Sequence, residues 1–445
     1  MKNRCFTLLI LLLSPIVLLA GEVRLHGKLT GLGTGQVELR YAGSATDILG
    51  NVQVVKIPID AEGNFDITFP LDRPAYYAIG MNTLYLSPGD NLEVEIGRAV
   101  ARSSFKGKGS EANIYLKKFR WNEGQNIGLG FAEQKPLDEV LKKVDSLARD
   151  RLQELAVLKE VSKTFREVEK ARIAANRIAV YFSYIYRTEF YHWQDDPETR
   201  ETKKVAYHQS LTEKINPLLR QIDRNDDYLE CPAIREMLLE CYHSACFSLK
   251  TSKKMVELAE TIKQSRSMDQ GITRDNHADF LAYGKSIKTP AYREAFQSKL
   301  TLREKLMEGQ PAADLDLKDI TGKASKLSDL KGKVLFVDFW ATWCLPCLAQ
   351  APHVKELSGK YTNIQFVAIS VDQEEPKWKA KLEKDGIHEH IKEFITNVYQ
   401  AGDAWDIASI PRFLLIDKDF RIITAFAPRP SEKAVIEPLL EKYNR

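Results

Sequence analysis

From Glu22 to about Gly97, apolar residues recur at every second position: Val23, Leu25 and Leu29, then Val37, Leu39 and Tyr41, then Phe65, Ile67 and Phe69, then Leu92, Val94 and Ile96. That alternation turns one face of a strand inward and the other to water. Turn signals at DAEGN (60–64) and SPGDN (87–91) separate the runs. Residues 22–105 are therefore predicted to form a small antiparallel sandwich or barrel. Between about 110 and 300 the spacing changes to three and four, as in Leu137, Val140, Leu141, Val144 and Leu147, followed by Leu152, Leu155 and Leu158. This predicts a mostly α-helical middle region. The helical pattern stops at Gly309 and Pro311, where a boundary opens a last domain, 310–445.

In that last domain Val334–Trp340 (VLFVDFW) has the length and the β-branched and aromatic content of a buried strand. Leu348 onward lacks strand alternation and suits a helix. Between them stand Cys344 and Cys347, a C-x-x-C pair. The spacing alone serves zinc sites, structural disulfides and redox pairs alike. Its position narrows the choice, because Cys344 falls at a helix N-terminus, where unpaired N–H groups and the helix dipole stabilise a thiolate. Cys344 is expected to be the more exposed, attacking thiol, and Cys347, one turn further in, the resolving thiol. Asp338 is a carboxylate inside an apolar strand. Desolvation raises the pKa of such an acid and fits it to accept the proton of Cys347, the plain alternative being an acid satisfied by a local hydrogen bond. Trp340 reads as packing beneath the site, whereas Trp343 is expected on a flat apolar docking surface.

The first residues carry Lys2 and Arg4 ahead of an apolar run from Phe6 to Ala20. Residues 1–21 read as a secretory signal peptide, with an uncleaved anchor as the alternative. Cys5 precedes the apolar run and so is misplaced for lipoprotein acylation. The expected location is the periplasm or cell envelope. The remaining length suits two or three domains. A net charge of +3, from 64 Lys and Arg against 61 Asp and Glu, with no basic run, gives no reason to expect nucleic acid. Of six cysteines, five would survive processing. Cys231, Cys241 and Cys246 are read on one helix opening at Cys231-Pro232, where their spacing forbids bridging. Buried free thiols are the plain reading, and a redox partner for the C-x-x-C pair the alternative. His388 and His390 form an H-x-H without further ligands, so no metal site is expected. His353 reads as an exposed helix residue. The aromatic concentration at Tyr181, Phe182, Tyr184, Tyr186, Phe190, Tyr191 and Trp193 reads as helix packing, or else as a groove for a peptide-like partner.

With FWATWCLPC (339–347), Pro352 and Ile410-Pro411 before the apolar run Phe413–Ile416, the last domain resembles the thioredoxin fold, and particularly the TlpA/ResA-like thiol-disulfide oxidoreductases of bacterial envelopes. The β-region resembles the small domain often placed ahead of such modules. The resemblance implies an α/β thioredoxin-like domain, a cis peptide at Pro411, and pairing of substrate with the backbone of Ile410. It also implies a proton-accepting role for Asp338, where the nearest branch more often has asparagine. Arg412 stands where threonine is common and Gln350 where glutamate is usual. Pro346 and Leu345, inside the motif, occupy the positions that tune reduction potential in this family. The implied activity is disulfide reduction without a cofactor, acting on disulfide-containing envelope proteins and fed by a membrane thiol donor of the DsbD/CcdA type. A binding or assembly module with a static Cys344–Cys347 disulfide is the rival reading. A peroxidase of the peroxiredoxin kind is disfavoured by the tight C-x-x-C.

Overall fold

The computed structural model describes residues 21–444 except 34, 50–53, 119–135, 186–195, 224, 243–251 and 408. The apolar run of residues 6–20, Cys246, and Tyr186, Phe190, Tyr191 and Trp193 lie outside the described residues. Among the described residues, no helix is long and apolar enough to cross a membrane. The chain forms two compact units, 1–258 and 259–445.

In the first unit the alternating segments become β1 (Glu22–Thr30), β2 (Gln36–Tyr41), β3 (Val54–Pro58), β4 (Asn64–Pro70), β5 (Ala75–Ile79), β6 (Asn82–Leu86), β7 (Asn91–Gly97) and β8 (Ser104–Lys108). They build two four-stranded sheets, β4-β1-β7-β8 and β3-β2-β5-β6. Val23, Leu25, Leu39, Leu92 and Val94 share one buried cluster, as their period of two requires. The pairing is antiparallel except between β1 and β7, which run parallel. There the strands approach so closely that a Cβ at residue 27 would stand 2.0 Å from the Val94 carbonyl oxygen, and Gly27 (φ +130°) removes the clash.

The helices of this unit include Leu137–Val157, Lys163–Tyr184 and Pro232–Tyr242. In Leu137–Val157 the buried stripe is Val140, Leu141, Val144, Ala148, Arg151 and Leu155, whereas Leu152 is exposed. Arg151 takes an inward position that the leucine spacing assigned to an apolar residue. Its guanidinium lies 3.7 Å from the centre of the Tyr115 ring. Pro232 opens its helix as expected, and Cys231 and Cys241 are buried free thiols. Burial pushes both thiols up, Cys231 to about 11, which suppresses their reactive thiolate.

Polar groups tie the β-sandwich to these helices. Glu169 accepts from the Tyr76 hydroxyl at 2.6 Å and from Arg172 at 2.6 Å, with no side-chain exposure. Glu230 accepts from the Tyr41 and Ser44 hydroxyls, and Arg235 reaches Asp47 at 2.6 Å. Glu169→Ala would leave Arg172 buried without its counter-charge. A loss of about 3–5 kcal/mol is expected, measured by chemical denaturation of the full chain.

The second unit holds helices Arg274–Ser286 and Pro290–Glu304, then a seven-stranded mixed sheet. Its strands are β9 (Asp316–Asp319), β10 (Ala324–Lys326), β11 (Val334–Trp340), β12 (Ile364–Ser370), β13 (Ile391–Ile395), β14 (Arg412–Ile416) and β15 (Ile422–Thr424), in the order β10-β9-β13-β12-β11-β14-β15. β11, β12 and β13 are parallel, and β14 runs antiparallel to β11. One face, with Val334, Phe336, Phe366 and Leu415, packs against Val354 and Leu357 of helix Leu345–Lys360 and Ile436 and Leu440 of helix Lys433–Tyr443. The other, with Leu335, Val337, Ile369 and Leu414, packs against Ala401 and Trp405 of helix Val398–Trp405. Both faces are covered, which is why β11 reads as an almost unbroken apolar run.

Candidate active site

The site forms where β11 ends and the helix Leu345–Lys360 begins. Cys344 is the N-cap of that helix, and the Cys347 amide donates to its sulfur at 3.2 Å. This hydrogen bond and the helix dipole lie along one direction, so negative charge on Cys344 Sγ would be stabilised by both. The two cysteines form a disulfide, S–S 1.98 Å, with Cα atoms 5.2 Å apart. The expected difference in exposure between them does not hold in this state, for Cys344 is 4 % and Cys347 3 % exposed. Each sulfur screens the other, and the Ile410 carbonyl oxygen lies 3.8 Å from Cys344 Sγ.

The peptide bond between Ile410 and Pro411 is cis. It leads into β14, whose Phe413 pairs with Asp338 and whose Arg412 pairs with Phe339. Strand pairing thus carries the Ile410 backbone to the cysteines from 66 residues away in sequence. Around the disulfide, Trp343 is 67 % and Leu345 77 % exposed, while Pro346 is also exposed. Trp340, by contrast, is half-buried against the cores on both sides of the sheet. The turn before Cys344 is held by Asp372, which accepts from the Thr342 amide at 2.9 Å, the Thr342 hydroxyl at 2.7 Å and the Ser370 hydroxyl at 2.8 Å. Sequence reasoning missed Asp372. Its signal was an acid just past the apolar run Ile364–Ser370, at the strand end level with the motif.

Asp338 is 7 % exposed, and its Oδ1 has no hydrogen-bond partner. It occupies the face of β11 that the active-site helix covers, since it alternates in phase with Val334 and Phe336. Cys347 belongs to the inward stripe of that helix, with Gln350, Val354 and Leu357. Burial pushes the Asp338 carboxyl up to about 8, with the charge of Glu393 adding to the effect. A carboxyl in that range exchanges a proton near neutral pH.

The two family departures turn inward. Gln350 is buried and accepts from the Ser431 amide at 3.0 Å. Arg412 folds back beneath the cis bond, donating to the Asp406 carbonyl at 3.2 Å and lying 4.1 Å from the centre of the Phe426 ring. Arg303 meets the same ring at 4.9 Å and pairs with Asp406 and Asp269 at 2.9 and 2.7 Å. The helix Pro290–Glu304 thereby anchors the segment that carries Ile410 and Pro411. His353 is half-buried on the active-site helix, and His388 and His390 stack edge to face, 5.5 Å apart. Among the described residues, no group of three or more His, Cys, Asp or Glu is placed to hold a metal ion.

Residues 308–438 match the model of the AhpC/TSA family. The thiol-disulfide oxidoreductase ResA of Bacillus thuringiensis subsp. konkukian (strain 97-27) is 30 % identical over 131 residues, covering 29 % of this chain and 74 % of that protein. ResA of Bacillus subtilis (strain 168) is 28 % identical over 142 residues, covering 30 % and 74 %. A crystal structure of a candidate thiol-disulfide oxidoreductase from Bacteroides vulgatus is 41 % identical and covers 31 % of this chain and 98 % of that one, with a TM-score of 0.29.

Proposed function

The chain belongs to the ResA family of thiol-disulfide oxidoreductases, and from that premise we propose that it reduces disulfides of proteins outside the cytoplasm. The observation that carries the reading is the Cys344–Cys347 pair, capped by the helix N-terminus and 3.8 Å from the carbonyl of Ile410 beside the cis bond. Cys344 thiolate attacks one sulfur of a substrate disulfide, and the other sulfur leaves with the electron pair. Substrate lies extended along the Ile410 backbone, against Trp343 and Leu345. Cys347, deprotonated by Asp338, then attacks Cys344 Sγ, which forms the Cys344–Cys347 bond and releases the second substrate thiolate. Two electrons leave the enzyme dithiol and reduce the substrate to its dithiol.

The enzyme disulfide must be reduced again, and a membrane thiol donor of the DsbD/CcdA type is the partner that completes the cycle. The positively charged N-terminus and apolar run of residues 6–20 support export by a signal peptide. Disulfide-containing envelope proteins are the substrate class.

Direction is tested by equilibrating the full chain in glutathione buffers and scoring the Cys344 and Cys347 thiols. A reductase is expected near or below the thioredoxin value of about −270 mV. A potential near the strong oxidants, about −120 mV, would overturn the reductase reading.

A further inference from the structure

A second buried acid lies on the same sheet face as Asp338. Asp338 on β11 pairs with Ala368 on β12, and Ala368 pairs with Glu393 on β13. Paired residues in parallel strands point to one side, so the three side chains form a row across the sheet. Ala368, between the acids, is buried and ends at its methyl group. Two strand spacings separate the outer Cα atoms by roughly 10 Å. Both carboxyl groups stand on one face of the sheet across that gap, with only Ala368 between them in the row. Each acid also has one buried oxygen without a protein partner, Asp338 Oδ1 and Glu393 Oε2. An orphaned polar atom of this kind costs about 1–3 kcal/mol, and here two occur in one row beneath the active-site helix.

Asp338 has almost no contact with solvent, whereas Glu393 is half-buried. A proton left on Asp338 therefore needs a way out, and the row supplies one. We propose that Glu393 is a positioning residue that acts through Asp338: the two carboxyl groups exchange the proton that Asp338 takes from Cys347, and Glu393 releases it to solvent beside Lys355. The inference rests on Asp338 being the proton acceptor. The step balances as a transfer from the Cys347 thiol to the Asp338 carboxylate, then to the Glu393 carboxylate, then to water. The departing substrate thiolate regains a proton from the same solvent.

The charges around Glu393 fit this role. Burial pushes its carboxyl up to about 7, and the Lys355 ammonium on the active-site helix pulls it back down. Lys355 also acts on Asp385, at the end of helix Glu375–Asp385. His388 Nδ1 lies 3.5 Å from the Ser358 hydroxyl of the active-site helix. Beyond β13, Lys318 on β9 is engaged by Glu375 at 2.9 Å. On β13 itself, Lys392 alternates to the opposite face. Thus Asp338 and Lys355 are the charges that bear on Glu393 from β11 and from the active-site helix.

The test uses the full chain carrying Glu393→Gln, Glu393→Asp or Asp338→Asn. The resolving step is followed in single turnover against pH, and the Asp338 carboxyl is titrated by difference infrared spectroscopy. In Glu393→Gln the Asp338 midpoint is expected to fall by about one unit, a tenfold change in acid constant, with the rate plateau about tenfold lower. Glu393→Asp should restore most of both. A Glu393 that acts only through its charge would lower the Asp338 midpoint and leave the rate plateau in place, and a purely structural one would move neither; either result would overturn the inference. If Asp338→Asn keeps the wild-type pH profile, the assignment of Asp338 itself fails. If Asp338 governs the profile but Glu393→Gln leaves midpoint and plateau unchanged, the relay alone fails.

Discussion

Cys344→Ser is expected to bring the catalysed reduction of a model disulfide, such as insulin, down to the uncatalysed background, a loss of at least about 10³-fold. Cys344 is the cysteine at the helix end, its sulfur receiving the Cys347 amide at 3.2 Å and facing the Ile410 carbonyl. Serine keeps the N-cap hydrogen bond, so folding is expected to survive, but a hydroxyl does not ionise there at neutral pH. Cys347→Ser should behave differently. The first attack still occurs, resolution does not, and covalent partners accumulate on Cys344. Mass spectrometry of non-reduced adducts checks the site of attachment and names the trapped proteins. Unchanged turnover in Cys344→Ser would remove the nucleophile assignment, and the absence of any adduct in Cys347→Ser would favour the static disulfide of a binding module.

The second large effect is expected at Asp338, where activity and stability should move in opposite directions. Asp338→Asn removes the proposed proton acceptor and should slow the resolving step by about 10²–10³-fold at neutral pH, read by single-turnover kinetics. The same change removes a buried acid whose carboxyl is pushed up to about 8 by burial and by Glu393. An unfolded aspartate titrates near 3.9. The folded state therefore holds the proton more tightly. This contribution to stability is fully present below about pH 4 and is lost as pH rises through about 8. The asparagine variant escapes that loss. Its advantage over the wild type should grow from near zero at pH 4 to about 2–5 kcal/mol at pH 8.5. Urea denaturation at the two pH values measures the difference. A constant gap between the proteins at both would show that Asp338 does not titrate as its burial requires.

Local devices are legible in the chain itself. Val334–Trp340 forms the strand that its apolar run predicts, and Cys344 lands on the helix end, because both depend on neighbours within a few residues. The alternating strands of residues 22–97 are readable for the same reason, although the parallel pairing of β1 with β7 is not. Helix Leu137–Val157 shows where periodicity misleads: Leu152 faces out, because the stripe that packs runs through Ala148, Arg151 and Leu155. Arg151 could not be identified as buried from its own sequence, since the aromatic ring that receives it, Tyr115, comes from a different helix. Arg412 repeats the lesson at the site. It follows Pro411 at a position where threonine is common in the family, and its side chain turns onto Phe426 and the Asp406 carbonyl.

Glu393 marks the dividing line most clearly. Its signal in the sequence is the same as that of Asp338, an acid among apolar strand residues, in IKEFI as in VLFVDFW. Only Asp338 stands near a motif that gives the acid a task. What the sequence determined by itself was the redox chemistry of the C-x-x-C pair, the strand and helix that present it, and the acid beneath it, all consequences of short-range order and residue chemistry. What the tertiary structure alone decided was which distant groups meet there. The Ile410 carbonyl at the sulfur, Asp372 under the turn, Arg412 folded away and Glu393 in line with Asp338 follow from strand order and register. Those are set by how whole strands pair and bury their faces, and no local window of residues contains that information.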